Sequence, residues 1–465
     1  MTQTSNAPAV PFKAYPPGAR VSTFSVLKSM LFPRPEDAYD PLEDGSKAQE
    51  KYGDLTYSQI GPVGYYQVTS PELTRQVLVE KADKFVKPRR FKFALGHFLG
   101  QGLLTNDGDP WRRQRRLAQP AFHSKRIENY AQTMVDYSQQ AVAEWRDGQT
   151  RDVAADMMQL TLRIVAKTLF DSDITRDSKT VASTMPILLD MAEHDLNAIF
   201  LLPSWLPTAK RRRQQGAIAK INQVIQHIIE ERRRSKVDHG DLLSMLMLAV
   251  DDDDKNGGQM TDQQLRDVAM TIFLAGHETT ANVMNWTWYL LAQHPEIEAK
   301  PHAELDQALT GRCPTLKDLA NLPYTEQIIK ESMRLFPPAP GVIREAVEPV
   351  ELGGYMIQPG KILSVAIYSM HHDARYFEDP SEFKPERFSK ENEASIPRYA
   401  YIPFSSGPRV CIGNSFAMME ARLVLATIAQ QVCFSLAPGQ VVKGETLITL
   451  RPKGGLPMRI SVRQP

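Results

Sequence analysis

The chain has 465 residues, a hydrophobic content of 42% and a formal net charge of +1 at pH 7. This composition supports a large folded core and gives no global charge excess for binding nucleic acid or an anionic membrane. The three cysteines, Cys313, Cys411 and Cys433, are odd in number and lack the paired spacing of metal-binding modules. They therefore argue against a disulfide framework, and we expect a reducing compartment.

The first 40 residues are expected to form an N-terminal extension to a single domain that spans residues 41–465. They contain no basic segment followed by a long apolar run, which a secretory leader would require. The nearest apolar stretch, Phe24 to Phe32, contains Lys28 and is too short to cross a bilayer. We therefore expect a cytoplasmic protein with no membrane anchor.

Sequence periodicity predicts a mainly α fold with small β-sheets, that is, an α+β fold. Residues 55–60 and 63–68 alternate on either side of Gly61-Pro62, which predicts a β-hairpin, and Ser70-Pro71 then begins a helix. From about residue 110 to 335, apolar residues recur every three or four positions, which predicts helices. After residue 340 the pattern predicts short strands. Two breaks interrupt the helical region, a Pro-rich one at residues 202–207 and an acidic one at residues 251–258.

The predicted helix around Trp111 carries several arginines. At 100° per residue, Trp111 and Arg115 lie about 40° apart on one face, whereas Arg112, Arg113 and Arg116 point elsewhere. The second group is either an ordinary solvated face or a basic patch for an acidic partner.

A long central helix is predicted from the capping box at Thr261 and Gln264 to the stop at His294-Pro295. In its middle, Ala275-Gly-His-Glu-Thr-Thr280 places polar residues in an otherwise apolar span. Burying such groups is costly unless they have partners or a function. A metalloprotease motif is excluded, because residue 281, where a second histidine would be needed, is alanine.

The segment Phe404-Ser-Ser-Gly-Pro-Arg-Val-Cys-Ile-Gly413 has the features of a thiolate-ligand loop. Gly407 can adopt the positive φ of a tight turn, and Gly413 lets the backbone approach a ligand closely. Cys411 precedes a predicted helix whose N-terminus favours a thiolate. A buried, inert cysteine is the alternative. The segment resembles the haem-binding loop of the cytochrome P450 superfamily, and the resemblance extends over about residues 40 to 460.

The resemblance implies the cytochrome P450 fold, with haem b (iron protoporphyrin IX) between the central helix and the helix after the cysteine loop. Cys411 would be the axial iron ligand, with Phe404 covering the sulfur side and Ala275 facing the haem. Thr279 would stabilise bound dioxygen and Glu278 would supply protons. A threonine that only bonds back to the previous turn is the alternative for Thr279.

The resemblance also assigns roles to charged residues. The side chains expected at the haem propionates are those of Trp111, Arg115, Arg344 and Arg409. Gly413 of the cysteine loop is also expected to contact the haem. A second set, Glu331, Arg334 and Arg387, would support the cysteine loop as a structural network.

The function implied is NAD(P)H-driven monooxygenation, with hydroxylation or epoxidation of an apolar substrate by O2. A peroxygenase would not need the Glu278–Thr279 pair, and a haem-thiolate gas sensor would need an output domain. Because no Gly-x-Gly-x-x-Gly follows a strand, we expect electrons to come from a separate ferredoxin and its reductase. The protein is also expected to be a monomer.

Two apolar segments predict a large, poorly soluble substrate such as a fatty acid or terpenoid, carotenoids included. They are residues 91–98 and 196–206, interpreted as loops at the substrate cavity, with hinges at Gly96, Gly100 and Gly102. The alternative is that these side chains pack only against each other.

Overall fold

The computed structural model describes residues 15–21, 41–60, 63–123, 127–174, 177–198, 208–235, 237–249, 258–446 and 448–463. The Pro-rich break at residues 202–207 and most of the acidic break at residues 251–258 lie outside these ranges, as does most of the apolar segment 196–206. Among the described residues, none of the helices combines the length and hydropathy needed to cross a bilayer.

The α-helices of the first half form much of the helical body. They are α1 (Pro41–Tyr52), α2 (Pro71–Arg75), α3 (Arg89–Leu99), α4 (Gly108–Ala118), α5 (Ala131–Ala143), α6 (Val153–Phe170), α7 (Ser178–Asn197), α8 (Ala209–Ser235) and α9 (Leu242–Leu248).

The α-helices of the second half include the central helix α10 and the helix α15 after the cysteine loop. They are α10 (Asp262–Gln293), α11 (Pro295–Leu309), α12 (Pro323–Leu335), α13 (Ile367–His371), α14 (Lys390–Glu393) and α15 (Asn414–Ala429). Pro301 is buried inside α11, which continues past it to Leu309.

The strands lie mainly at the two ends of the chain. They are β1 (Arg20–Val21), β2 (Leu55–Ile60), β3 (Val63–Val68), β4 (Phe85–Val86), β5 (Thr150–Asp152), β6 (Val342–Ala346), β7 (Val350–Leu352), β8 (Tyr355–Ile357), β9 (Ile362–Val365), β10 (Val432–Leu436), β11 (Gly444–Thr446), β12 (Leu450–Pro452) and β13 (Pro457–Val462).

The largest sheet has six strands in the order β1-β2-β3-β9-β6-β4. The predicted hairpin is confirmed: β2 and β3 pair antiparallel, with Leu55 opposite Val68. Ser70 caps α2 by accepting a hydrogen bond from the Leu73 N–H, as its position before Pro71 predicts. Arg20 and Val21 form β1, which pairs parallel with β2.

The central helix α10 organises the helical body. Thr261 and Gln264 form the predicted capping box, and the helix then runs for 32 residues, which corresponds to about 48 Å. Most of its side chains are buried, and it packs along α6. Because α10 is enclosed on nearly all sides, its polar side chains must find partners inside the protein.

The C-terminal strands pack against the same helix. A three-stranded sheet has the order β10-β13-β5, and the hairpin β11–β12 lies beside α10. The Trp286 indole N–H donates to the Leu450 carbonyl at 3.1 Å, which ties β12 to α10. The mainly α fold with small sheets is therefore confirmed.

Candidate active site

A cavity of about 400 Å³ lies between α10 and the cysteine loop. Its walls come from α3, α4, α10, α12, β6, the loop at residues 403–413 and the start of α15. Apolar side chains dominate the lining, including Phe91, Leu104, Ile272, Val283 and Met333. The thiol of Cys411 and the polar segment in the middle of α10 therefore border the same cavity.

The cysteine loop presents its thiol to this cavity. Gly407 has φ +68°, and a Cβ there would overlap the Leu78 carbonyl, so the position requires glycine. The Cys411 N–H donates to the Phe404 carbonyl at 3.0 Å, and Gly413 is the N-cap of α15. Burial in the protein body raises the pKa of the Cys411 thiol, while the Gly413 N–H and the positive charge of Arg115 oppose that rise.

The middle of α10 lines the opposite wall. Ala275, Gly276, Thr279 and Thr280 all border the cavity. The Thr279 hydroxyl donates to the Ala275 carbonyl one turn earlier, at 2.8 Å. This bond is the local one that threonine commonly makes in helices, but here it is made on a surface open to the cavity.

Glu278 does not border the cavity. Its buried carboxylate accepts a hydrogen bond of 2.6 Å from the hydroxyl of Thr449, and Thr449 itself lines the cavity. Asn282 donates to the same hydroxyl at 3.3 Å. Burial raises the pKa of Glu278, partly offset by Thr449 and the charge of Arg451, so the carboxyl can hold a proton closer to neutral pH.

The described lining contains four cationic side chains, Lys87, Arg115, Arg344 and Arg409, and no carboxylate. We call these four residues the cavity cations. Burial lowers the pKa of Arg344 to about 10, and the positive charge of Arg409 adds to that effect. Burial likewise lowers the pKa of Lys87 to about 7, with further contributions from Arg344 and Arg409.

Nearby groups hold these cations in place and offset only part of their charge. Arg409 pairs with Asp107, donates to the Asn106 carbonyl at 2.8 Å and stacks over Trp111 at 4.0 Å from the ring centroid. Arg115 donates to the Val410 carbonyl at 2.9 Å. Asp107 also forms an ion pair with Lys92. The surplus positive charge fits an anionic ligand with more than one acidic group.

A buried charge network lies behind the cysteine loop. Arg334 makes a bidentate pair with Glu331, with both N···O distances 2.7 Å, and Arg387 donates to Glu331 at 3.2 Å. We call these three residues the closed network. It reaches the cysteine loop through His371, whose Nε2 accepts from the Ile402 N–H at 3.1 Å. Burial, with the charge of His372 and Arg334, lowers the pKa of His371 to about 3, so the ring is neutral.

One prediction made from local sequence is wrong. Residues 91–98 lie in helix α3, not in a loop, because Phe91, Leu95 and Phe98 recur at helical spacing and form one buried face. Of these three side chains only Phe91 borders the cavity. Gly100 and Gly102 pack against α10, where a Cβ at either position would overlap side-chain or backbone atoms, and the hinge role of Gly96, Gly100 and Gly102 stays a prediction.

The arginines after Trp111 point in different directions. A second, basic pocket on the outside of α4 is bordered by Arg112, Arg115, Arg116 and His123. Arg113 is not part of it, because its guanidinium donates to the Gly258 carbonyl at 2.6 Å and to the side chain of Gln264 at 3.3 Å. A basic patch built on Arg112 and Arg113 together is therefore not observed.

A sequence model of the family described as cytochrome P450 matches residues 35–456. The chain belongs to the cytochrome P450 family.

Curated relatives agree with this assignment. The cytochrome P450 is 38% identical over 401 residues to "cyclooctatin synthase" of Streptomyces melanosporofaciens, covering 86% of this chain and 87% of that protein. It is 36% identical to "cyclooctat-9-en-7-ol 5-monooxygenase" of the same species, covering 83% of this chain and 84% of that protein. It is 33% identical to "pentalenene oxygenase" of Streptomyces avermitilis, covering 89% of this chain and 91% of that protein.

The fold agrees as well. The structure is similar to the crystal structure of the cytochrome P450DA heme domain, with a TM-score of 0.85 and 26% identity over 97% of this chain and 99% of that chain. The expected fold and enzyme class are confirmed: the protein is a haem-thiolate cytochrome P450 monooxygenase.

The residues of the cavity fit haem. Cys411 offers a thiol, and the cavity cations face a lining without carboxylates, which suits the two propionates. Cys433 does not border the cavity and lies on β10, while Cys313 is exposed. The site residues that local sequence reasoning missed are Lys87, Asp107 and Thr449. Lys87 lies among other basic residues before α3, and no local signal distinguished it from a surface lysine.

Proposed function

We propose that this cytochrome P450 hydroxylates or epoxidises a terpenoid of mostly hydrocarbon character. The observation that carries the proposal is the apolar wall of the cavity, which includes Leu103, Leu104, Leu169 and Ile272. Such a wall binds a ligand through buried apolar area rather than through charge. The names of the three relatives, all terpenoid oxygenases, favour a terpenoid over a fatty acid.

We assign Cys411 as the residue whose thiolate would bind the haem iron, and the cavity cations, with Trp111, as the residues that would hold the propionates. Haem, when bound, supplies the activation of dioxygen. Phe404, Gly413 and Ala275 border the same cavity and leave room for the group between α10 and α15.

Proton delivery is assigned to Glu278 and Thr279. The raised pKa of Glu278 favours a protonated carboxyl, and its contact with Thr449 leads to the cavity wall. The Thr279 hydroxyl lies on the cavity side of α10, where it could give up its bond to the Ala275 carbonyl and donate a proton into the cavity. Thr449 is therefore a positioning residue between the carboxyl and the cavity.

A ferredoxin-type protein, reduced by NAD(P)H through a reductase, is the proposed electron donor. The basic pocket around Arg112 and Arg116 lies on the far side of Trp111 and Arg115, which border both pockets. Opposite charges speed the encounter of two proteins in a salt-dependent way.

The donor surface can be tested with a matched pair of variants. Arg112→Glu should slow reduction of the ferric enzyme by ferredoxin, more at low salt than at high salt. Arg113→Glu is the control, since that side chain is directed toward Gly258. Equal effects of the two variants, or none that depends on salt, would contradict the assignment of this surface.

The substrate proposal is tested by a binding screen of purified holoprotein, followed by product analysis. Cyclic diterpenes and sesquiterpenes should give a low-to-high spin shift and oxygenated products with a donor system. Val283→Phe, which fills part of the cavity, should weaken that shift, whereas Val462→Phe at an exposed position should not. Binding confined to long-chain fatty acids or to small charged molecules would contradict the terpenoid proposal and leave the enzyme class intact.

A further inference from the structure

A second group of metal-ligating side chains lies outside the haem cavity. Glu298, His302 and Cys433 place one ligand atom each within 4.8 Å of the others, and all three residues are half-buried. None of them borders the haem cavity. Their chemistry is therefore not used by the monooxygenase site.

Local structure explains why the three side chains meet. Glu298 and His302 are four residues apart on α11, so they project from the same face of the helix. Cys433 comes from β10, whose alternation buries Val432 and Phe434 and turns the thiol to the other face. A helix thus supplies two ligands and a strand from the C-terminal sheet supplies the third.

We propose that Glu298, His302 and Cys433 form a zinc site. The Cys433 sulfur lies 3.9 Å from the His302 Nε2. Tetrahedral zinc, with bonds of about 2.3 Å to sulfur and about 2.05 Å to nitrogen, places those atoms about 3.6 Å apart. This pair of atoms needs to approach by only a few tenths of an ångström, and the ligand atoms of all three residues lie within 4.8 Å of one another.

The ligand types select zinc over the hard cations. A thiolate and an imidazole favour borderline-soft metals, whereas calcium and magnesium require several oxygen ligands. Three protein ligands leave a fourth position for water, which partial exposure allows.

The surrounding charges permit a divalent cation. Arg463 is the cation beside the group, but its guanidinium pairs with Asp306 at 2.9 Å and donates to the Ala429 carbonyl at 3.1 Å. Asp306 offsets the charge of Arg463, and the Glu298 carboxylate remains as a ligand. A bound zinc would join α11 to the C-terminal sheet and so stabilise the packing of β10.

The test uses holoprotein incubated with zinc chloride and then desalted, with the zinc-to-haem ratio measured by plasma mass spectrometry. We expect about one zinc per haem in the wild type. Cys433→Ser and His302→Gln should each weaken zinc binding by about a hundredfold or more, because each removes a direct ligand. Cys313→Ser and His227→Gln, at exposed positions, should retain the metal.

X-ray absorption at the zinc edge provides a second readout that haem does not obscure. The expected spectrum contains one sulfur ligand at about 2.3 Å together with nitrogen and oxygen ligands. Failure of the wild type to retain zinc, retention by Cys433→Ser, or a zinc environment without sulfur would overturn the proposal. Because the variants leave the haem cavity unchanged, each outcome is independent of the proposed substrate.

Discussion

The closed network and the cavity cations are both sets of buried charges, but they differ in how those charges are satisfied. All five N–H donors of Arg334 have acceptors, namely the two Glu331 oxygens and the carbonyls of His371, Pro380 and Glu382. In contrast, the described contacts of Arg344 include the Ile343 carbonyl and no carboxylate.

This difference separates a structural role from a binding role. A buried charge that has all of its partners contributes to a fixed local geometry, here the support of the cysteine loop. A group of buried like charges without enough partners is costly until an anion binds, and burial, together with the charges of Arg344 and Arg409, lowers the pKa of Lys87. The comparison predicts that variants in the closed network mainly change folding stability, whereas variants among the cavity cations mainly change haem retention.

The largest effect is expected from Arg334→Leu. This substitution leaves the fully buried Glu331 carboxylate without its bidentate partner. The free energy of unfolding should fall by about 3–5 kcal/mol, measured by urea unfolding of the holoprotein. Arg387→Leu is the matched control with a smaller loss, because Arg387 makes one bond to Glu331 and is partly exposed. A change of less than about 0.5 kcal/mol for Arg334→Leu would contradict the structural assignment.

The next effect is expected from Arg344→Leu. Loss of a charge-assisted contact to a propionate is worth about 1.5–3 kcal/mol, so haem should dissociate roughly 10- to 100-fold faster. Transfer of haem to apomyoglobin measures this rate. Arg312→Leu removes an arginine paired with Asp318 away from the cavity and should leave haem loss unchanged. Equal rates of haem loss for the wild type and Arg344→Leu would show that Arg344 does not contact a propionate.

A smaller effect, specific to pH, is expected at Lys87. Without haem its pKa is about 7, and a propionate beside it would raise that value, so haem binding takes up a proton above pH 7. Haem retention by the wild type should therefore be constant below pH 7 and weaken by roughly tenfold as the pH rises to 9. Lys87→Met should lose this part of the pH dependence. An identical pH profile for the variant would show that Lys87 does not face a propionate.

The smallest effect is expected at Thr279, where only one hydrogen bond is at stake. Thr279→Ala should retain haem and substrate binding but release roughly fivefold more hydrogen peroxide per NAD(P)H consumed. Thr287→Ala is the control, since the Thr287 hydroxyl makes the same type of bond, to the Val283 carbonyl at 2.8 Å, away from the cavity. If both variants released the same amount of peroxide per NAD(P)H consumed, Thr279 would be a helix-packing residue without a role in proton delivery.

The sequence predicted the features that depend on local spacing. The capping box of α10, the hairpin β2–β3, the turn at Gly407 and the pairing of Glu331 with Arg334 all involve residues a few positions apart. The contact between Glu278 and Thr449 joins residues 171 positions apart, and it depends on how the C-terminal hairpin packs on α10. Local patterns contain no information on such distant contacts.

The same limit explains the errors. The direction of Arg113 is set by Gly258, which lies 145 residues away. Residues 91–98 are a different case, because the helical spacing of Phe91, Leu95 and Phe98 is a local pattern that already predicts the helix. The zinc ligands come from two elements that are 131 residues apart, so the group was visible only after folding.

The most direct test of the central claim is the spectrum of the reduced, carbon monoxide-bound protein. Cys411 is the thiol that borders the cavity and faces the cavity cations, so it should be the axial ligand. The wild type, Cys313→Ser and Cys433→Ser should all show the red-shifted Soret band of a haem-thiolate enzyme, and Cys411→Ser should lose it. Persistence of that band in Cys411→Ser, or its loss in Cys433→Ser, would contradict the assignment of the haem ligand.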